Sequence, residues 1–229
     1  MFCGRLCVTL YSLTLYQGGT DHKVGKSLET ITIESNSLPQ GVIIALHGWG
    51  ANAEDLAELA PILNLPNYLM LFPQAPFDHP NVYGGRMWYD FQNSNSHQLQ
   101  ESRSQLKDYI NSILGSESLL NLPVFLLGFS QGGAMTLDVG LEIKKLAGLI
   151  SLSGYLHPDI SQNVLETPIL IIHGVQDAVV PIIAAQSAKN TLSKLGAKVS
   201  YNEFQMGHEI NPQAIATVRA FILKKSSEK

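Results

Sequence analysis

The chain has 229 residues, 45% of them hydrophobic and 15% charged, with a formal net charge of −4. That length carries one full-sized core and predicts a single domain over residues 1–229. The modest negative charge gives no electrostatic footing for a nucleic-acid partner, and no apolar run reaches the length of a membrane span.

Taken in order, the elements begin with a strand over residues 6–15, where apolar and polar residues roughly alternate. Arg5 before that run could mimic a short signal peptide, but no small-residue cleavage site follows, and Tyr11, Ser12 and Thr14 interrupt the apolar stretch. The only cysteines are Cys3 and Cys7. On one strand their α-carbons would lie about 13 Å apart, too far for a disulfide. There is also no Asn-x-Ser/Thr acceptor, and both absences fit a cytoplasmic protein.

Further strands are predicted over residues 29–34, 41–46, 68–72, 123–128, 148–152, 168–172 and 198–204, and helices over 55–63, 100–114, 133–141, 182–195 and 212–224. Asn211 followed by Pro212 is a helix start, a cap and then a residue whose missing N–H costs nothing there. Two antiparallel strands followed by repeated strand–helix units predict a mostly parallel sheet with helices on both faces. One stretch resists this reading. Residues 72–100 are rich in Pro, Gly, Asn and Ser, yet carry Phe77, Tyr83, Met87, Trp88, Tyr89 and Phe91. So aromatic a segment seeks burial and is not a disordered insert. It is expected to wall a pocket, the alternative being that its rings fill a satellite core.

The chemistry-bearing motif is Gly128-Phe129-Ser130-Gln131-Gly132. Gly-x-Ser-x-Gly arises by chance in roughly one chain of this length in twelve, so its flanks decide. The apolar run Val124-Phe125-Leu126-Leu127 precedes it and a helix-like stretch from Ala134 follows. Between a strand and a helix, this pattern is the nucleophile elbow of the α/β-hydrolase fold. Serine needs a base to take its proton, and in this fold the acid and then the histidine follow the nucleophile in sequence. Asp177 comes shortly after the buried run 168–172, at the carboxyl edge of the sheet, where open α/β folds bind ligands. His208 is the one histidine after Asp177. The order leaves Ser130, Asp177 and His208 as the catalytic candidates, with Asp159 as a fallback acid. Asp177 could alternatively be an N-cap for the next helix. Asp138, on the helix after the elbow, is expected to point away from the strand tips. His47 and His173 each end a strand before a glycine and are expected to orient loops.

A tetrahedral intermediate needs fixed donors for its oxyanion. The backbone N–H of Gln131, just after the nucleophile, is one candidate. The second is Trp49 N–H, in the loop His47-Gly48-Trp49-Gly50.

With these residues named, the chain resembles the carboxylesterase, lysophospholipase and acyl-protein thioesterase family of α/β-hydrolases. The resemblance is carried by Leu46-His47-Gly48-Trp49-Gly50, Phe72-Pro73-Gln74-Ala75-Pro76, Trp88-Tyr89-Asp90, the elbow through Ala134, Leu152-Ser153-Gly154, His173-Gly174 with Asp177-Ala178-Val179-Val180-Pro181, and Gly207-His208. It implies the same triad and oxyanion donors, and ester hydrolysis with no metal or organic cofactor. The implied partners are small-molecule or lipid acyl esters, and frequently a second copy in a homodimer. It also implies that Phe77, Trp88 and Ser153 line the acyl pocket. The family includes acyl-protein thioesterases and lysophospholipases, so these are the alternative activities; a non-catalytic binding protein on the same scaffold is a third. Trp49 stands where many members carry leucine, and the segment 91–101 is shorter and more polar than in many relatives.

Overall fold

The computed structural model describes residues 28–92, 96–159 and 166–228. The strand expected over residues 6–15, with Cys3 and Cys7, lies outside the described residues. Strands and helices alternate: β1 (Thr30–Ile33), β2 (Gly41–Leu46), α1 (Ala53–Ala57), α2 (Leu59–Leu63), β3 (Tyr68–Pro73), a small hairpin of β4 (Phe77–Asp78) and β5 (Arg86–Met87), then α3 (Ser96–Leu114) and β6 (Val124–Phe129). They continue with α4 (Gln131–Gly140), β7 (Gly148–Leu152), β8 (Ile169–Gly174), α5 (Ile182–Lys194), β9 (Val199–Phe204) and α6 (Pro212–Ser227). Seven strands form one sheet in the order β1-β3-β2-β6-β7-β8-β9. Only β1 runs antiparallel, pairing Thr30 with Pro73.

The central strands are apolar throughout because both sheet faces are covered. Successive residues of β2 and β6 feed opposite layers. Val42, Ile44, Leu46, Val124 and Leu126 pack with Leu106 of α3, Met135 of α4 and Leu192 of α5. Ile43, Ala45, Phe125 and Leu127 pack with Leu56 of α1, Leu63 of α2 and Val218 of α6. The α/β-hydrolase architecture expected from the elements is therefore present, with some boundaries moved.

The helix expected over 55–63 is broken in two at Glu58. Pro61 explains the break, since its missing N–H cannot bond to the Ala57 carbonyl. Asn52 and Asp55 close a capping box on α1, with bonds of 2.9 and 3.1 Å. Asn211 caps α6 by accepting from Ala214 N–H at 2.8 Å. The irregular stretch contains the hairpin β4–β5, where Phe77 pairs with Met87, and α3 begins before the predicted residue 100.

The tightest point of the fold is where β6 turns into α4. All ten residues of α4 are buried. A Cβ on Gly128 would lie 2.1 Å from the Gly132 carbonyl oxygen, and one on Gly132 would lie 2.1 Å from the Leu46 carbonyl oxygen. Neither obstacle is a side chain that can swing aside. A Gly132→Ala variant must push α4 off β2. It is expected to lose on the order of 3 kcal/mol of stability, read from the urea midpoint. An unchanged midpoint would mean that α4 can shift without loss of packing.

Candidate active site

Strand β6 ends in the elbow, and Ser130 sits there with φ 55° and ψ −119°. A non-glycine residue at positive φ is strained, and such strain persists only where the surroundings over-determine it. Here they do. Ser130 N–H donates to the Leu152 carbonyl at 2.8 Å, the Ser130 carbonyl accepts Ala134 N–H at 3.0 Å, and the two glycines leave no other path. The result lifts the hydroxyl off the end of the sheet at the start of a helix.

The structure brings together the three residues picked out by order. His208 Nε2 lies 2.9 Å from Ser130 Oγ, and His208 Nδ1 lies 2.8 Å from Asp177 Oδ2. Ser130 follows β6, Asp177 follows β8 and His208 follows β9, so the carboxyl ends of three parallel strands on one edge of the sheet, with β7 between the first two, supply the group. Asp177 does not cap α5. Its Oδ1 accepts Val179 and Val180 N–H at 2.9 and 2.8 Å, which frees Oδ2 for the histidine. Burial would raise the Asp177 carboxyl, but the His208 hydrogen bond and the two backbone donors outweigh it and hold the carboxyl below its usual range. The aspartate is thus an anion that fixes the imidazole with Nε2 facing the serine. Phe129 backs His208 with ring centroids 4.9 Å apart. Asp159, the fallback acid, is exposed and outside this group.

His173 supports the same turn. Its ring is fully buried, its Nε2 donates to the Val180 carbonyl at 2.8 Å, and it lies 3.4 Å from Asp177 Oδ2.

The loop after β2 faces Ser130 from the other side. A Cβ on Gly48 would lie 3.3 Å from Ser130 Cβ, so the approach is close. Gly50 N–H donates to the Arg86 carbonyl and Ala51 N–H to the Gly48 carbonyl, whereas Trp49 N–H enters no backbone hydrogen bond among the described residues. Gln131 is the first residue of α4, so its N–H has no carbonyl one turn back. Both expected oxyanion donors are backbone N–H groups left open at this edge.

The indole of Trp49 packs between His79 and Phe91, with centroid distances of 4.0 and 4.7 Å. The residues after it tie the loop to the hairpin, since Gly50 N–H donates to the Arg86 carbonyl and Arg86 N–H to the Ala51 carbonyl, both at 2.8 Å, and Arg86 Nε donates to the Ala75 carbonyl at 3.0 Å. Arg86 also forms an ion pair with Asp78.

The expected acyl-pocket residues fare differently. Phe77 is half-buried on β4. Trp88 and Ser153 are 0% exposed, so neither can touch a substrate in this conformation. Trp88 lies beneath the loop after β2, where its indole Nε1 donates to the His47 carbonyl at 3.0 Å. Together with Tyr89 it belongs to the main core, neither on an open pocket wall nor in a separate satellite core. Ser153 turns the chain after β7 at φ 49°, with its N–H on the Ile172 carbonyl at 2.9 Å. Of the aromatic segment, Phe91 against Trp49 borders the site, and Tyr83 is fully exposed.

Order and spacing gave no sign of Arg103, Asp138 and His157, which form a buried charged cluster beside this site. Asp138 was expected to point away from the strand tips, and it does not face Ser130. It is nonetheless bound from both sides, by Arg103 Nε at 2.6 Å and His157 Nδ1 at 2.9 Å.

The sequence profile of the Phospholipase/Carboxylesterase family matches residues 28–226. The acyl-protein thioesterase 1 of Gibberella zeae is 28% identical over 204 residues, covering 78% of this chain and 85% of that protein. Carboxylesterase SOBER1 of Arabidopsis thaliana is 28% identical over 204 residues, 80% of this chain and 90% of that one. Its crystal structure superposes with a TM-score of 0.68 at 27% identity, covering 81% and 98% of the two chains. The crystal structure of esterase PE8 superposes with a TM-score of 0.78 over 86% of this chain and 99% of that one, and at 24% identity it speaks for the fold alone.

His47 links the site to solution pH. Its Nδ1 donates to the Gly48 carbonyl at 2.8 Å and its Nε2 accepts Ala75 N–H at 3.1 Å. Burial pulls its pKa from 6.5 down to about 4, against the opposing effect of the Gly48 carbonyl. The folded protein therefore binds fewer protons here than the unfolded chain between those two values. Stability from this residue is complete above pH 6.5 and is lost as pH falls towards 4, by on the order of 3 kcal/mol. Unfolding free energies measured from pH 7 to 4 are expected to fall more steeply for the native protein than for His47→Gln. Parallel slopes would mean that His47 is not held neutral.

Proposed function

The chain belongs to the phospholipase/carboxylesterase family of α/β-hydrolases, and from that premise we propose that it is a serine esterase whose triad is Ser130, His208 and Asp177. The observation that carries this reading is the continuous path from Asp177 Oδ2 to His208 Nδ1 at 2.8 Å and from His208 Nε2 to Ser130 Oγ at 2.9 Å. In the first half-reaction Ser130 Oγ attacks the ester carbonyl carbon as its proton passes to His208 Nε2. The new imidazolium is stabilised by the Asp177 carboxylate. Negative charge collects on the former carbonyl oxygen, where Gln131 N–H and Trp49 N–H donate to it. The N-terminal end of α4 adds a favourable dipole. Collapse of this intermediate breaks the bond to the leaving alcohol, which takes the proton from His208. Water then repeats the sequence on the acyl-serine, giving the carboxylic acid and free Ser130.

A lipid acyl group, bound as an oxygen ester or a thioester, is the second reading. Similarity to a protein named acyl-protein thioesterase supports it. So does the surface around the site. Phe91, tilted against Trp49, is 50% exposed, and Val179, in the turn held by Asp177, is 67% exposed. Apolar side chains left in water on both sides of a nucleophile suit an acyl chain better than a polar acid. Phe77 is kept as a candidate for the same wall.

Ser130→Ala is expected to cut ester hydrolysis by roughly 10⁶-fold in kcat while the protein stays folded. A fluorophosphonate should label the native protein at Ser130, and labelling that survives Ser130→Ala would remove that residue as nucleophile. A series of nitrophenyl esters of rising chain length, run beside a lysophospholipid and a palmitoyl thioester, ranks the substrate classes. The apolar rim predicts rising kcat/KM with chain length, and a fall beyond acetate would count against a lipid acyl substrate.

A further inference from the structure

The oxyanion loop and the start of α4 are connected by the pair Trp88-Tyr89. The Gln131 side chain is clamped to it: Oε1 accepts Trp88 N–H at 2.9 Å and Nε2 donates to the Tyr89 carbonyl at 2.7 Å. Trp88 Nε1 donates to the His47 carbonyl at 3.0 Å, two residues before the Trp49 N–H. One dipeptide therefore sets the spacing between the two proposed donor groups.

The dipeptide is itself held from the far side. Ser102 Oγ of α3 donates to the Trp88 carbonyl. The Tyr89 hydroxyl meets His157 Nε2 at 2.7 Å and also bonds to the Tyr155 hydroxyl. His157 Nδ1 lies 2.9 Å from Asp138 Oδ2, and Asp138 is gripped by Arg103 of α3 at 2.6 and 3.0 Å. Asp138 stands on α4, the helix whose first residue is Gln131. The bonds thus close a ring, from Gln131 through Tyr89, His157 and Asp138 back to α4. Asp138 and Tyr89 are 4% and 6% exposed, so little water reaches the ring to replace a broken bond. Burial would raise the Asp138 carboxyl, but hydrogen bonds from His157 and Arg103 overcome this and keep it an anion.

We propose that His157 and Asp138 are positioning residues for the oxyanion hole, acting on its donors through the hydroxyl of Tyr89. The inference rests on the assignment of Ser130 and of the Gln131 and Trp49 donors made above. Neither His157 nor Asp138 reaches the reacting atoms. Their effect is to fix where Trp88-Tyr89 lies, and so to keep two N–H groups aimed at the oxygen that becomes negative. Core packing alone would tolerate loss of the Tyr89 hydroxyl, because phenylalanine fills the same volume.

The test is Tyr89→Phe, assayed on a short nitrophenyl ester and against a trifluoromethyl ketone that forms a tetrahedral oxyanion on the serine. The expected result is a fall in kcat of about 10-fold with KM within about twofold, since a donor is displaced and not deleted. The inhibition constant of the ketone should rise by the same factor. His157→Leu should match Tyr89→Phe, and His157→Gln, which still offers a polar group to the hydroxyl, should recover part of the loss. An unchanged kcat and an unchanged ketone constant in Tyr89→Phe, with only a lower melting temperature, overturns the inference. If Tyr89→Phe does not fold, His157→Gln against His157→Leu decides by the same two readouts. Ser130→Ala run alongside separates the two claims: full activity there removes the underlying triad, while loss there with a normal Tyr89→Phe removes only the positioning role.

Discussion

Everything at the site depends on how closely α4 is pressed against β2 and β6. At Gly128 and Gly132 there is no room for even one carbon, and the obstacles are backbone oxygens. That contact forces the chain from a strand into a helix within one residue, and Ser130 takes the strained dihedrals. Strain of this kind costs on the order of 1–3 kcal/mol, which the full burial of α4 offsets. Relaxing the turn would unpack the helix, so the serine has no cheaper conformation to fall into. A half-buried hydroxyl at the head of a helix, beside a backbone N–H with no partner one turn back, is the geometric consequence.

The remaining parts of the site are loops, and each is held by backbone atoms more than by side-chain packing. The Asp177 turn is built on two N–H groups donated to one carboxylate oxygen. The loop after β2, with the proposed donor Trp49, is laced to the hairpin through Gly50, Ala51 and Arg86. His47 stitches the same loop to Ala75, and burial keeps it a neutral ring with one donor and one acceptor. Such bonds fix direction as well as distance, which is what a developing charge requires of its donors.

Two aspartate–histidine–hydroxyl series lie in this protein, and environment separates their roles. In one, the hydroxyl is Ser130, lifted by the elbow toward the open edge of the sheet, with His208 partly exposed beside it. In the other, the hydroxyl is Tyr89, buried in the core; desolvation and the neighbouring Tyr155 push its pKa far up, so it stays protonated and serves as a hydrogen-bonding tie. Similar groups in the same order thus give the proposed nucleophile at a strained turn on the sheet edge and a hydrogen-bonded tie in the interior.

The order of chemical groups and the periodicity of the elements were local properties, and the sequence by itself determined them. The apolar run of β2, the Asn211-Pro212 start of α6 and the elbow between strand and helix each depend on neighbours a few residues apart. The order Ser130, Asp177, His208 was legible because the direction of a parallel sheet places successive strand ends along one edge. The break at Glu58 was legible in Pro61, although a longer helix had been expected. Other features depended on contacts between distant segments. Asp138 meets Arg103 across 35 positions and His157 across 19, and no local pattern marks such a pairing. Trp88 looked like a pocket wall because an aromatic in an irregular segment can face either way. Only the tertiary structure decided that it turns inward, since the direction of a loop side chain is set by which buried carbonyl is waiting for its N–H, and here that carbonyl belongs to His47, 41 residues earlier.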